Sequence, residues 1–126
     1  MIDHVSIAVR DLALSAAFYD EILEPLGMQR LIDDQARVAF GSKYPEVWLN
    51  ARPNMRRIDP ETGAHVCLRA RSTDAVDAFH RRAIERGGTG DGGPGLRKAT
   101  LVTYYAAFVR DPDGNRIEVM TVPANA

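Results

Sequence analysis

Three side chains have the types and positions of metal ligands: His4, His65 and Glu118. Each histidine opens a strand-like apolar run, and Glu118 lies mid-strand, where alternation points it away from its apolar neighbours. Two imidazoles and one carboxylate on rigid strands leave coordination positions open, an arrangement associated with divalent iron and similar ions. The alternative is that each is an ordinary polar residue on a hydrated sheet face.

The two histidines occupy equivalent positions of an internal repeat. Sliding residues 4–27 by 61 positions onto 65–88 aligns His4 with His65 and gives seven identities in 24 ungapped positions. Further along, Ala39-Phe40 aligns with Ala107-Phe108, and Trp48 aligns with Glu118. Each copy is too short to bury much core alone, so the copies should pair, within one chain or between chains.

The periodicity of each copy predicts a β-α-β-β-β module, and therefore an α+β fold with each sheet curved and backed by its helix. The turn sequence 111–115, flanked by apolar runs, predicts a β-hairpin near the end of the chain. We expect module one at 1–50, with strands 2–9, 28–33, 35–41 and 46–50 and helix 12–25; a linker at 51–63; and module two at 64–122, with strands 65–71, 97–103, 104–110 and 115–121 and helix 73–86.

Composition narrows the class of protein. A chain of 126 residues with 45% hydrophobic and 26% charged residues predicts one globular domain. A net charge of −1 gives no electrostatic case for binding nucleic acid or an anionic membrane. A single cysteine, Cys67, excludes an internal disulfide and fits a reducing compartment. With no leader or membrane-spanning pattern, the expectation is a cytoplasmic protein.

Other reactive residues have ordinary alternatives. Cys67 shares a strand face with His65 and is interpreted as a small filler rather than a nucleophile. Arg69 and Arg97 are candidates for binding an anionic substrate group, against a default of solvated surface charge. Tyr104 and Tyr105 are adjacent, so only one of them can face a pocket.

The run of glycines at 87–95 contains the spacing G-x-G-x-x-G at Gly88, Gly90 and Gly93. Dinucleotide binding requires this motif after a strand and at the start of a helix, whereas here it follows a helix. We therefore expect a flexible loop, with a mobile lid as the alternative.

The strand from His4, the helix with Ala17-Phe18-Tyr19, the repeated start at 63–66 and the closing segment from Phe108 to Glu118 together resemble the vicinal oxygen chelate superfamily. This superfamily includes glyoxalase I, bleomycin-resistance proteins and extradiol dioxygenases. The resemblance implies a cupped mixed sheet, commonly in a homodimer, with one divalent ion (Fe, Mn, Zn or Ni) in the cup. By position, His4, His65 and Glu118 match its metal ligands, and Glu118 is also the catalytic candidate.

The sequence departs from glyoxalase I at the fourth ligand, because Trp48 stands where that enzyme has a carboxylate or amide. Glu46 is a possible substitute, displaced by about 6–7 Å along the strand. The resemblance therefore implies a metal-dependent lyase, isomerase or dioxygenase acting on a small oxygenated substrate, or alternatively a metal-free binding protein of the bleomycin-resistance type. The candidate substrate-binding residues are Trp48, Cys67, Arg69, Arg97, Tyr104 and Tyr105.

Overall fold

The computed structural model describes residues 1–123 and contains two helices and two mixed sheets. A 3-10 turn, Glu24–Leu26, follows the first helix. The elements in chain order are β1 Val5–Val9, α1 Leu12–Leu23, β2 Gln29–Asp33, β3 Arg37–Gly41, β4 Val47–Ala51, β5 Val66–Arg69, α2 Thr73–Glu85, β6 Thr89–Gly90, β7 Gly95–Lys98, β8 Thr103–Arg110 and β9 Arg116–Thr121.

Each half of the chain forms its own sheet. In the first sheet the strand order is β1-β4-β3-β2, and β1 pairs with β4 in parallel. In the second sheet β5 pairs with β9 in parallel, and β8 lies next to β9, with β6 and β7 pairing along its outer edge. The predicted α+β fold of two related units is confirmed.

Capping and alternation fix these elements. The side chain of Asp11 accepts from the Leu14 amide at the start of α1, and Ser72 accepts from the Ala75 amide at the start of α2. Along the strands, one face carries apolar side chains that pack against the helices. We call the opposite side of each sheet the open face. The fully buried core side chains include Val9, Phe18, Tyr19, Ile22, Leu23, Phe40, Leu49, Val76, Phe79, Val109 and Val119.

The turn at 111–115 ties the second unit to the first within the same chain. Asp111 accepts a 2.7 Å hydrogen bond from the buried Tyr19 hydroxyl, and Asn115 Nδ2 donates to the Ala8 carbonyl at 2.9 Å. Asp113 accepts from Arg10 Nε at 2.7 Å. Burial, and then the charge of Asp111, raise the pKa of Tyr19 well above its usual range, so this hydroxyl stays a donor. The two units therefore pair within one chain.

Several predicted details were wrong. The run at 87–95 is not simply a loop, since Thr89–Gly90 pairs with β8 and was not predicted; two residues are too few to show a period. A Cβ on Gly88 would lie 2.9 Å from atoms of Ala83, Arg110 and Phe18, so this glycine serves close packing. The strand expected at 97–103 begins earlier and is shorter, since β7 spans Gly95–Lys98. A turn follows β7, in which the Ala99 amide donates to the Val102 carbonyl.

The second part of the repeat was misaligned by one residue. Phe40 is fully buried in the core, whereas Phe108 lies on the open face and pairs with Glu118 across the strands. Trp48 pairs with Ala39, so Ala39, not Phe40, is the equivalent of Phe108.

Within residues 1–123, neither helix is long and apolar enough to cross a membrane.

Candidate metal and substrate site

His65 and Glu118 meet on the second sheet. His65 immediately precedes β5, and Glu118 lies in β9 beside Cys67, with only 7% of its surface exposed. His65 Nε2 lies 3.1 Å from Glu118 Oε1. The Phe108 ring packs edge-on against the imidazole, with 5.7 Å between the two ring centres. An ionised carboxylate only accepts, so the histidine tautomer that makes this hydrogen bond carries its proton on Nε2.

The separation of these two atoms suits a shared ion. With nitrogen and oxygen ligands about 2.0–2.2 Å from the ion, two of them are about 3 Å apart at the 90° angle of an octahedral ion and about 3.4 Å apart at the tetrahedral angle of zinc. His65 Nε2 and Glu118 Oε1 are 3.1 Å apart, which lies within this range. A direct hydrogen bond has the same length. The pair can therefore hold either a proton or an ion.

His4 belongs to the first sheet and precedes β1. Its Nδ1 lies 2.7 Å from an Asp3 carboxylate oxygen, and its ring packs edge-on against Trp48 at 6.4 Å. A carboxylate on one ring nitrogen is how a metal-binding histidine is commonly oriented, with the other nitrogen left for the ion. Within residues 1–123, His4 Nε2 has no hydrogen-bond partner in the protein.

One cavity joins the two histidines. It has a volume of about 340 Å³, lies between the first strands of the two units and is lined by His4, His65, Glu46 and Cys67 among others. Even so, no three histidine, cysteine, aspartate or glutamate side chains of residues 1–123 are grouped closely enough to hold an ion together. The donor set fits a divalent ion in its chemistry, and two of its three members have the required spacing.

The thiol of Cys67 faces the same carboxylate. Burial, followed by the charge of Glu118 and a hydrogen bond to it, raises the pKa of Cys67 to about 12. The thiol therefore keeps its proton at neutral pH. A protonated thiol is a poor nucleophile, which argues against a nucleophilic role for Cys67, but the residue is exposed on the open face and does not fill the core.

Trp48 lies at the position equivalent to Glu118. Ser6 and Cys67 are related by the 61-residue repeat, and their strand partners are Trp48 and Glu118 respectively. The Arg37 guanidinium lies 5.0 Å from the centre of the Trp48 ring. Trp48 lines a cavity of about 720 Å³ together with Asp3, His4, Ser6, Arg37, Tyr44, Pro45 and Asn50.

The remaining candidates divide between the two faces of the second sheet. Tyr104 and Arg97 are strand partners, and the Arg97 guanidinium lies 6.0 Å from the Phe108 ring. Arg69 ends β5, two residues beyond Cys67. Tyr105 packs against the core instead, and its hydroxyl donates to Asp77 of α2 at 2.6 Å. Its assignment to the pocket is corrected, because alternation places it on the helix side.

Sequence reasoning missed Arg116 and Phe108 as pocket residues. The Arg116 guanidinium lies 4.0 Å from the centre of the Phe108 ring, and Arg116 lines a cavity of about 280 Å³ with His65. Alternation places Arg116 on the same strand face as Glu118, but it does not indicate a role for the side chain. Phe108, the ring beneath this guanidinium, was missed because the repeat alignment matched it with the buried Phe40.

Comparison with known proteins agrees with this fold. The model of the Glyoxalase/Bleomycin resistance protein/Dioxygenase superfamily matches residues 1–119. The structure of a glyoxalase/bleomycin resistance protein from Albidiferax ferrireducens T118 is 32% identical, covers 95% of this chain and 98% of that one, and superposes with a TM-score of 0.85.

A more distant structure shares the fold. A glyoxalase/bleomycin resistance protein/dioxygenase family enzyme from Burkholderia phytofirmans PsJN is 21% identical over 96% of this chain and 98% of that one, with a TM-score of 0.69. With the fold, the internal repeat and the match to the family model in agreement, this chain belongs to the Glyoxalase/Bleomycin resistance protein/Dioxygenase superfamily.

Proposed function

We propose that this protein is a metal-dependent enzyme that acts on a small oxygenated molecule. His4, His65 and Glu118 would bind one divalent ion, with Glu118 as the catalytic carboxylate. The observation that carries the proposal is the His65–Glu118 pair, whose 3.1 Å separation fits two ligands of one ion. His4 supports it because its Nδ1 is held by Asp3 and it lines a cavity with His65.

The ion would supply Lewis-acid stabilisation of negative charge on a substrate with two adjacent oxygens. The first role of the protein's own residues concerns the proton on the His65 imidazole. To bind an ion through Nε2, neutral His65 must carry its proton on Nδ1, so ion binding would select that tautomer. The Phe108 ring against His65 limits water on that side of the imidazole. A lyase, isomerase or dioxygenase reaction is compatible with these roles.

Trp48 separates this proposal from a glyoxalase I reaction. Its indole occupies the position at which that enzyme has its fourth ligand, and an indole neither binds an ion there nor carries a proton between substrate carbons. Glu46 lines the cavity with both histidines and is the nearest substitute carboxylate on that strand. Trp48 instead offers a flat wall that favours an aromatic or otherwise planar substrate.

The second candidate is a metal-free binding protein. It is favoured by the absence of a three-donor group within residues 1–123, together with the large cavity beside Trp48. In this case the open faces would bind a small molecule through stacking and hydrogen bonds. The superfamily name covers resistance proteins as well as enzymes.

Calorimetric titration of zinc and manganese into EDTA-treated protein tests the proposal. We expect one site per chain, with affinity reduced at least tenfold by His65→Ala, His4→Ala or Glu118→Gln. His80→Ala is the matched control, because His80 lies on α2 and is the third of only three histidines. Equal affinities for the wild type and His65→Ala would remove the metal proposal and leave the binding-protein alternative.

A further inference from the structure

We infer that Arg116 is the residue that binds an anionic group of the substrate, a carboxylate or a phosphate, next to the His65–Glu118 pair. This inference rests on the proposed function in that it names the substrate class of the same site. Arg116 is two residues from Glu118 on the same strand, and alternation places both side chains on the open face. Arg116 and His65 line the same cavity.

The Arg116 side chain is held in place before any ligand arrives. Its Nε donates to Asp91 at 2.7 Å, and its guanidinium lies 4.0 Å from the centre of the Phe108 ring. Stacking on an aromatic face and one ion pair restrict the rotation of a long side chain. A preorganised guanidinium loses less conformational entropy on binding than a freely moving one.

The guanidinium also keeps unused donors. Its bond to Asp91 goes through Nε, and within residues 1–123 neither Nη nitrogen has an acceptor in the protein. A guanidinium presents its donors in a planar fork that matches carboxylate and phosphate oxygens. The restrained part of the side chain is therefore its stem, and the free part is the end that recognises anions.

The local charge balance leaves this position positive. Arg110 and Arg116 are directly opposed across β8 and β9, a placement that is unfavourable for like charges. Among residues 1–123, Asp91 is the carboxylate that contacts both: it lies 2.7 Å from Arg116 and 3.4 Å from Arg110 through the same oxygen. Counting Arg97 and Glu118 on the same face as well, three guanidiniums and two carboxylates leave a net charge of about +1, which an incoming anion would neutralise.

Arg97 is the rival for this role. It too lies near the Phe108 ring, but at 6.0 Å, and its Nη2 donates to the Gly93 carbonyl. One of its terminal donors is therefore already used, and its stem has no ion pair within residues 1–123. The geometry favours Arg116.

Heteronuclear NMR of EDTA-treated protein tests the inference without any metal. Pyruvate, inorganic phosphate and acetoin are titrated separately. Pyruvate and phosphate represent the two anion types, while acetoin has adjacent oxygens but no charge. We expect the side-chain Nε–Hε resonance of Arg116 to shift saturably with pyruvate or phosphate and not with acetoin. No shift with either anion, or equal affinity for acetoin, overturns the inference.

Three substitutions separate Arg116 from its neighbours. Arg116→Gln should weaken anion binding at least tenfold, and Arg116→Lys should weaken it less, because charge remains while the fork is lost. Arg116→Gln should fold, since Asp91 can still pair with Arg110. Arg97→Gln should weaken anion binding less than Arg116→Gln does, because one of its terminal donors is already bonded to Gly93.

Arg81→Gln, on the exposed side of α2, is the control for charge alone and should change nothing. A tenfold loss in Arg97→Gln with none in Arg116→Gln assigns the role to Arg97 and refutes ours. These titrations contain no metal, so they test this inference separately from the proposed function. If the protein binds the anions through Arg116 but binds no divalent metal ion, the proposed function is rejected and this inference stands.

Discussion

Replacing Tyr19 by phenylalanine tests how the turn at 111–115 joins the two units. The substitution removes one hydroxyl from a fully buried ring and opens no large cavity. That hydroxyl donates at 2.7 Å to Asp111, which is 1% exposed. Hydrogen bonds to charged groups contribute about 1.5–3 kcal/mol. For a chain of this length we expect Tm to fall by roughly 5–15 °C.

Tyr105→Phe is the matched control. It also removes a tyrosine–aspartate hydrogen bond, at 2.6 Å to Asp77, but from a hydroxyl close to solvent. Water can replace that bond, so we expect a cost below about 1 kcal/mol. Urea unfolding followed by circular dichroism gives both free energies. Equal costs for the two substitutions would refute the argument that burial makes the Tyr19 bond valuable.

The Tyr19 substitution also has a defined pH dependence. Burial raises the pKa of Asp111, and the bond from Tyr19 opposes that rise. Tyr19 therefore stabilises the ionised carboxylate, and its contribution is present above the Asp111 pKa and lost as the pH falls through it. The difference in unfolding free energy between Tyr19→Phe and the wild type should shrink at acid pH. A difference that grows as the pH falls would contradict this assignment.

Further predictions concern other parts of the molecule. Gly41→Ala should lower the unfolding free energy by several kcal/mol in urea titrations, because a Cβ there overlaps the Tyr44 carbonyl, whereas Gly63→Ala meets no atom within 4 Å and should cost nothing. Cys67, with a pKa of about 12, should react with iodoacetamide at pH 8 far more slowly than a free cysteine, as followed by mass spectrometry. Trp48→Glu should tighten metal binding in the calorimetric assay, and no change would count against its equivalence with Glu118. Light scattering at micromolar concentration should show a homodimer, and a monomer would remove that expectation.

The sequence predicted the fold well because the evidence for it was local and repeated. Helix caps, period-3.6 and period-2 patterns and the 61-residue repeat all pointed to the same architecture. The repeat also aligned Trp48 with Glu118, and the strand registers agree, because Trp48 pairs with Ser6 as Glu118 pairs with Cys67. This reasoning could not predict the two-residue strand β6 or the contacts between residues far apart in the chain.

The site was less accessible from sequence. The meeting of His65 with Glu118 depends on parallel pairing of strands far apart in the chain. The role of the turn at 111–115 depends on Tyr19 and Asp111, which lie 92 residues apart, so composition indicated a hairpin but not a link between units. Arg116 was overlooked because its position depends on Asp91, in a segment whose glycines indicated only a loop.

Anomalous diffraction from crystals soaked in manganese tests the central claim most directly. The account predicts one peak per chain, within bonding distance of His65 Nε2 and a Glu118 oxygen, with His4 as the third protein ligand. A peak that includes His65 and Glu118 but not His4 would reduce the protein ligands to two and reject the set proposed here. Absence of any peak at His65 and Glu118, in protein that still binds a small molecule, would contradict the account.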